Sequence, residues 1–365
     1  MTVDISFEDN WPDVAGALLA GGCSTRMGED KSLLTFAGES LWRRSESVLS
    51  SLFRRVFIAG ERPDLVSFST PCYPDNQPGS ALGGLATALT HADREWVCVL
   101  PCDLPFPSPV LLKTLLDNRQ GAQAVVPRTP LGAEPLVACY HRSSLPIVIE
   151  QLKCERYRLT DLLDRLTTRY LEPSQLPPGW RRALRNLNAP EDYARLLASP
   201  PAVTFIARSG TGKTTLLEKL IAEMVRRGWT VGALKHDAHH FDIDHEGKDS
   251  WRLTNAGATV TAISSPTKSA VVRQHEVEPP LDSLLHDFSG MDIVLTEGFK
   301  RSRLPKIEIH RAVLADPLLG RGEFDDPTLL AVVSDELLEI DIPCFNLEDV
   351  SRIADFLESS FLAVN

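Results

Sequence analysis

The sequence predicts an α/β protein built from two three-layer αβα domains, the first Rossmann-like and the second P-loop-like. Three observations carry this. Short, continuously apolar β-runs alternate with helical patterns in both halves, which implies parallel strands covered on both faces. In each half a glycine-rich loop directly follows the first strand. A seam at Ser199-Pro200-Pro201 divides the 365 residues into 1–199 and 202–365, each the size of an ordinary domain.

The elements follow in order. In the first half the β-runs are Val14–Leu19, Arg55–Ala59 and Trp96–Leu100, and helical patterns cover Leu41–Phe53, Ala81–His91 and Pro109–Asn118. A further helical run, Glu191–Ala198, stops at the two prolines, and a new β-run, Ala202–Ala207, starts after them. The strands Thr230–Leu234, Ala258–Ile263, Met291–Thr296 and Leu329–Val333 follow, with the clearest helices at Lys213–Arg227 and Leu347–Ser359. In open α/β sheets ligands bind at the carboxyl ends of strands, so the chemistry is sought there.

Composition separates the halves and excludes several classes. The net charge is −2 before the seam and −9 after it, and seven of the nine histidines lie in the second half. A total of −11 argues against a broad nucleic-acid binder, which needs a basic face. No apolar run reaches the ~20 residues of a membrane span, and Met1–Asp13 carries no basic-then-apolar leader. A cytoplasmic location is the expectation. Seven cysteines without a CxxC pair favour neither a disulfide framework nor a zinc knuckle. Most are expected as small core residues, Cys23 in its loop excepted.

After the first strand the chain reads Leu19-Ala20-Gly21-Gly22-Cys23-Ser24-Thr25-Arg26-Met27-Gly28-Glu29-Asp30-Lys31. Adjacent glycines let backbone N–H groups approach and cradle phosphates. Arg26 grips phosphate oxygens bidentately and Lys31 adds a mobile point charge. The strand at Trp96–Leu100 runs into Pro101-Cys102-Asp103-Leu104-Pro105. A lone carboxylate there suits Mg²⁺ held against a triphosphate, and it equally suits a helix N-cap. The polar segment Asp75-Asn76-Gln77-Pro78-Gly79-Ser80 either closes over a nucleotide or is an ordinary turn. Asn186-Leu187-Asn188-Ala189-Pro190 reads as a helix start, and its Asn side chains suit base or pterin recognition equally.

In the second half Ala207-Arg208-Ser209-Gly210-Thr211-Gly212-Lys213-Thr214-Thr215 is a P-loop with Ala207 in place of its first glycine. Its backbone N–H groups and helix N-terminus face phosphates. Lys213 is placed for the β- and γ-phosphates and Thr214 for Mg²⁺. The apolar run at Met291–Thr296 ends in Glu297, in the position of the acid that holds Mg²⁺ or its water. The stretch Lys235–His245, crowded with His and Asp, fits no standard zinc spacing and reads as a switch-like loop.

The Leu-Ala-Gly-Gly-x-Ser-x-Arg-Met-Gly-x-Asp-Lys, Leu-Pro-Cys-Asp-Leu-Pro and Asn-x-Asn-x-Pro-Glu-Asp segments together resemble the molybdenum cofactor guanylyltransferase family over nearly the whole first half. That resemblance implies a Rossmann-like nucleotidyltransferase that moves GMP from GTP onto the phosphate of molybdopterin. It places Leu19, Ala20, Gly21, Gly22 and Gly79 around the nucleotide, Arg26 and Lys31 on phosphates, Asp75 near the nucleotide, Asp103 on Mg²⁺, and Asn186 and Asn188 at the mouth. The P-loop, Leu-Lys-His, Gly-Lys-Asp-Ser and Thr-Glu-Gly-Phe-Lys segments resemble the GTP-binding molybdopterin-guanine dinucleotide adaptor family from Ala202 onward. That implies a P-loop NTPase fold, GTP and Mg²⁺ binding with weak GTPase activity at most, and a tendency to dimerise. The implied partners are molybdenum-loaded molybdopterin, the molybdopterin-inserting enzyme and apo-molybdoenzymes or their chaperones, with no nucleic acid or membrane. Rival readings are a cytidylyl- or sugar-nucleotidyltransferase fused to a P-loop partner, and a GTP-dependent cofactor carrier without transferase activity.

Overall fold

The computed structural model describes residues 11–20, 30–65, 70–75, 77, 79–187, 189–236, 245–314, 316–321 and 325–362. The chain divides into two compact units: Met1–Leu197 with Val225–Thr230, and Ala198–Met224 with Val231–Asn365.

The first unit contains strands β1 (Val14–Leu19), β2 (Thr35–Phe36), β3 (Glu39–Ser40), β4 (Val56–Ala59), β5 (Cys72–Tyr73), β6 (Trp96–Pro101), β7 (Ala124–Thr129), β8 (Gly132–Ala133), β9 (Ala138–His141) and β10 (Thr168–Leu171). Its helices are α1 (Leu41–Leu52), α2 (Ala81–His91), α3 (Pro109–Asp117), α4 (Leu145–Lys153), α5 (Leu159–Leu163), α6 (Trp180–Ala183) and α7 (Pro190–Leu197). The main sheet runs β10-β7-β9-β6-β1-β4-β5. Successive strand residues point to opposite faces, and both faces are buried. Leu18, Cys98 and Leu100 join Leu49 of α1 and Leu112 of α3 in one core. Ala17, Val97 and Val99 join Leu85 of α2, Val148 of α4 and Leu162 of α5 in the other. This is the three-layer arrangement.

The expected parallel sheet is in fact mixed, because β9 runs antiparallel to both β6 and β7. The reason is connection length: a tight turn joins β7 to β8, and so short a link cannot supply the crossover that a parallel return needs. The strands β7, β9 and β10 carry no sequence signal as clear as that of β1 or β6.

The second unit contains β11 (Ala202–Ala207), most of α8 (Lys213–Arg226), β12 (Val231–Lys235), α9 (Asp249–Asn255), β13 (Val260–Ser264), β14 (Ser269–Arg273), α10 (Leu281–His286), β15 (Ile293–Glu297), β16 (Lys306–His310), β17 (Leu329–Ser334), β18 (Cys344–Asn346) and α11 (Val350–Leu357). Its sheet, β12-β15-β11-β16-β17-β18, is parallel throughout. Leu216, Leu220 and Met224 of α8 and Ile353 and Leu357 of α11 are buried. The last helix starts three residues later than the expected Leu347, since Asp349 caps it by accepting from Arg352 N–H, and beyond Leu357 the chain stays helical as a π-helix through Leu362.

One expectation is corrected, and one strand is new. The run at Ala258–Ile263 does not enter the parallel sheet. It forms β13, which pairs with β14 in a separate hairpin, because the Ser265–Lys268 turn is closed by Ser265 N–H on the Lys268 carbonyl at 2.7 Å. The strand β16, beside β11, escapes an apolar-run reading because Lys306 and Glu308 are charged yet each only 2% exposed. Lys306 Nζ meets Asp326 at 3.1 Å, and the Glu308 carboxylate accepts from the N–H groups of Leu319 and Gly320. Pairing and hydrogen bonding are what permit such burial.

Candidate functional sites

In the first unit the site lies at the carboxyl ends of β1 and β6. Leu19 ends β1, and Ala20 N–H donates to the Ala59 carbonyl at 2.9 Å. Gly21, Gly22, Cys23 and Arg26 lie outside the described residues. Lys31 opens a short 3₁₀ turn, Lys31–Leu33, that Asp30 caps by accepting from Ser32 N–H at 3.0 Å.

Asp103 follows β6, and its loop is fastened from both sides by α1. Ser45 Oγ donates to the Pro101 carbonyl at 3.1 Å, and Arg44 Nε donates to the Pro105 carbonyl at 2.8 Å. Asp103 is not a helix N-cap: Ser108 fills that role for α3, accepting from Leu111 N–H. Burial pushes the Asp103 carboxyl above its usual range, and the positive charge of Lys31 draws it back. Lys31 and Asp103, far apart in sequence, therefore act on one another electrostatically. A half-buried, hard oxygen ligand within the influence of a cation suits Mg²⁺ bound through one carboxylate and substrate phosphates, so the residues fit that ion. Among the described residues no group of three or more His, Cys, Asp or Glu side chains forms a self-sufficient metal cage.

Asp75 is 9% exposed. One carboxylate oxygen accepts from Thr87 of α2 at 2.5 Å, and the other is buried without a hydrogen-bond partner. Burial raises its pKa, and the Thr87 bond opposes that rise. The free oxygen lies 3.8 Å from where a Cβ at Gly84 would sit, and so does Leu19 Cδ2. Gly83 is a different case. A Cβ there would come within 2.3 Å of the Gln77 carbonyl, so the polar loop can close onto α2 only over a glycine. Gly79 has φ +93° and open space around it, and Ser80 caps α2 on Gly83 N–H at 3.0 Å. Ahead of α2, Asp75 thus presents an unsatisfied carboxylate oxygen.

The end of the first unit folds back toward the same loops. Leu187 and Leu196 pack with Phe36, Leu41 and Phe106, and Tyr193 donates its hydroxyl to the Thr35 carbonyl at 2.7 Å. Asn186 arrives with this segment, its Oδ1 buried and without a hydrogen-bond partner. Asn188 lies outside the described residues.

In the second unit β11 leads into the P-loop. Gly210 and Gly212 have φ of +81° and +86°, values that glycine adopts without strain. Ala207 is the last residue of β11, buried and paired with Ile309. It needs no positive φ, so the missing first glycine leaves the loop intact. Thr211 Oγ1 donates to the Arg208 carbonyl at 3.0 Å, and Lys213 Nζ donates to the same carbonyl at 3.2 Å. Burial holds the Lys213 ammonium below the usual lysine range, partly offset by Glu297. Thr214 Oγ1 donates to Glu297 Oε2 at 3.1 Å, which joins both candidate Mg²⁺ ligands at one point. This oxygen pair fits the ion. Ser209 lies in the loop before Gly210, and Thr215 follows Thr214 in the first turn of α8.

Residues beyond the sequence candidates also reach this loop. Arg311, just past β16, donates from Nε to the Thr211 carbonyl at 3.2 Å. Its Nη1 lies 3.4 Å from Asp335, which accepts from Ala312 N–H at 2.8 Å. No local motif marks them; their positions at the ends of neighbouring strands bring them in. The His/Asp-rich stretch is described only at its ends: His236 N–H donates to the Glu297 carbonyl at 2.9 Å, and residues 237–244 lie outside the described residues.

The fold is that of an α/β protein of two units, each built on its own sheet, with a glycine-bearing P-loop between β11 and α8 in the second. Residues 16–170 match the family model of the MobA-like NTP transferase domain, and residues 202–335 match that of molybdopterin guanine dinucleotide synthesis protein B. The chain is 30% identical over 191 residues to a probable molybdenum cofactor guanylyltransferase of Bacillus subtilis, covering 49% of this chain and 92% of that protein. It is 32% identical over 196 residues to a protein of the same description from Synechococcus elongatus, covering 51% and 98%. It is 38% identical over 161 residues to the molybdopterin-guanine dinucleotide biosynthesis adapter protein of Haemophilus influenzae, covering 44% and 88%. The chain belongs to the molybdenum cofactor guanylyltransferase family through its first unit and to the adapter family through its second.

Proposed function

We propose that this chain transfers GMP from GTP to the phosphate of molybdenum-loaded molybdopterin, releasing pyrophosphate, and that its second unit binds GTP as an adapter. The two activities are assigned to domains 1–199 and 202–365. The observation that carries the reading is the Asp103 loop at the carboxyl end of β6, fastened by Ser45 and Arg44 and with its carboxyl drawn down by the charge of Lys31, within a chain whose two families share one pathway. An oxygen of the pterin phosphate attacks the α-phosphorus of GTP in line. One phosphorus–oxygen bond forms as the bond to the β-phosphate breaks. Arg26 and Lys31 balance charge on the departing pyrophosphate, an electrostatic role that needs little acid–base chemistry. Asp103 holds Mg²⁺, which when bound neutralises phosphate charge. Leu19, Ala20, Gly21, Gly22 and Gly79 surround the nucleotide. The unsatisfied oxygens of Asp75 and Asn186 are assigned to polar groups of the two substrates.

In the second unit the backbone of Ser209–Gly212 and Lys213 to Thr215 holds the phosphates of a second GTP, with Thr214 and Glu297 on its Mg²⁺. We assign this unit to homodimer contact through the β13–β14 hairpin, where Val260 and Val271 share one face and are 54% and 50% exposed. An isolated two-stranded hairpin gains stability when its apolar face is covered. The further partners are the molybdopterin-inserting enzyme and apo-molybdoenzymes or their chaperones, in the cytoplasm. No helix among the described residues is long and apolar enough to cross a membrane.

The deciding experiment incubates the purified chain with Mg²⁺, molybdenum-loaded molybdopterin and either GTP or CTP. The nucleotide monophosphate released by acid hydrolysis of the cofactor is then identified. GMP from GTP alone is expected. CMP would move the chain to the cytidylyl class, and no product would favour the carrier reading.

A further inference from the structure

Lys31 stands between two residues that are both fastened to one guanidinium. Arg62, in the connection after β4, meets Asp30 Oδ2 at 2.6 Å through Nη2 and donates to Ser32 Oγ at 2.9 Å. It also forks onto Asp64, with bonds of 2.9 and 2.7 Å. The other oxygen of Asp30 caps the Lys31 turn, accepting from Ser32 N–H at 3.0 Å and Ser32 Oγ at 2.7 Å. Arg62 is itself anchored: its N–H donates to the Gly60 carbonyl at 3.0 Å, and its carbonyl accepts from Leu65 N–H at 3.1 Å, where Leu65 is fully buried. The side chain of Arg62 is 15% exposed and that of Asp30 is 36%, so their pairing is only partly screened by solvent. The charges of Arg62 and Asp30 both act on Cys102, the neighbour of Asp103. The cluster therefore borders the Asp103 loop as well as the Lys31 turn.

We propose that Arg62 is a positioning residue for GMP transfer. It fixes the Asp30–Ser32 turn and neutralises Asp30, which leaves the Lys31 ammonium to Asp103 and the nucleotide phosphates. Without Arg62 the Asp30 carboxylate, one residue from Lys31, competes with the phosphates for that ammonium. Asp64, about half exposed, aims the guanidinium. The inference rests on the transferase reading of the first unit.

The test measures steady-state GMP transfer by the full chain with Mg²⁺, GTP and molybdenum-loaded molybdopterin. Four forms are compared: wild type, Arg62→Ala, Arg62→Lys and the double variant Asp30→Asn/Arg62→Ala. Arg62→Ala is expected to lower kcat about tenfold or more, short of the roughly 10²–10³-fold cost of deleting a preorganised charge contact outright. Asn caps a helical turn as well as Asp does, so the double variant keeps the turn and removes the competing charge. Its kcat is expected to return to within about threefold of wild type. Arg62→Lys keeps the charge without the fork and is expected between the two. Equal kcat for wild type and Arg62→Ala would overturn the proposal. So would a double variant as slow as Arg62→Ala, which would make Arg62 a scaffold only. If Arg62→Ala does not fold, Arg62→Lys decides, and a wild-type kcat there counts against the proposal. A wild-type chain without transfer would overturn the transferase reading and this inference together, whereas the other adverse results overturn this inference alone.

Discussion

Thr214 donates its hydroxyl to Glu297 at 3.1 Å although the two lie 83 positions apart. The pair joins the start of α8 to the end of β15, with Lys213 directly before it. Glu297→Gln is expected to weaken Mg²⁺-dependent GTP binding by the second unit about 10- to 100-fold, the usual cost of disturbing a metal's ligand environment. Titration calorimetry with and without Mg²⁺ measures it. Unchanged Mg²⁺ dependence would remove Glu297 from the site.

Lys213→Ala separates the two units functionally. GTP binding by the P-loop is expected to fail while GMP transfer continues at a rate near wild type. Transfer measured beside nucleotide binding on the same preparation checks this. Loss of both would mean that the P-loop controls the transferase.

Asp103→Asn is expected to reduce transfer on the order of 10²–10³-fold, as for removal of a preorganised electrostatic group. Burial raises the Asp103 pKa above 3.8, and the ionised form is the one that binds Mg²⁺. Binding of Mg²⁺ to the metal-free chain should therefore weaken as pH falls through that raised value. Mg²⁺ titrations of the chain across acidic pH locate the limb, and affinity that does not fall with pH would contradict it.

Asp75 gives a stability prediction with a definite sign. Its folded pKa is raised above 3.8 by burial, so between those values the folded chain binds more protons than the unfolded chain. Stability then falls as pH rises through that window. Asp75→Asn should remove this dependence and raise the melting temperature at neutral pH while weakening GTP binding. A variant that melts lower at neutral pH and binds GTP normally would make Asp75 a structural residue.

Gly83 and Gly84 test the loop before α2. Gly83→Ala places a Cβ 2.3 Å from the Gln77 carbonyl, whereas Gly84→Ala meets nothing closer than 3.8 Å. Denaturant unfolding should show Gly83→Ala destabilised by about 1–3 kcal/mol, the range for overpacking, and Gly84→Ala far less so. Equal effects would argue that the loop relaxes freely.

The sequence by itself determined what depends on short-range order. Apolar runs located β1, β6, β11 and β17 because a strand buried on both faces must be apolar at every position. The P-loop was legible because Gly210 and Gly212 need positive φ, a demand of the local backbone. Asp103 stood out as a lone acid after a buried strand. Tertiary structure alone decided the rest. The reversal of β9, the separate β13–β14 hairpin and the charged strand β16 depend on partners that no local window contains. Lys306 is tolerable in a sheet only because Asp326 meets it at 3.1 Å. Arg62 looks like any loop arginine until Asp30, Ser32 and Asp64 gather around it. Spacing reports backbone conformation and hydrophobic period, which are local. Charge compensation and the pull of the Lys31 charge on Asp103 arise from packing between distant elements, and only the folded chain fixes them.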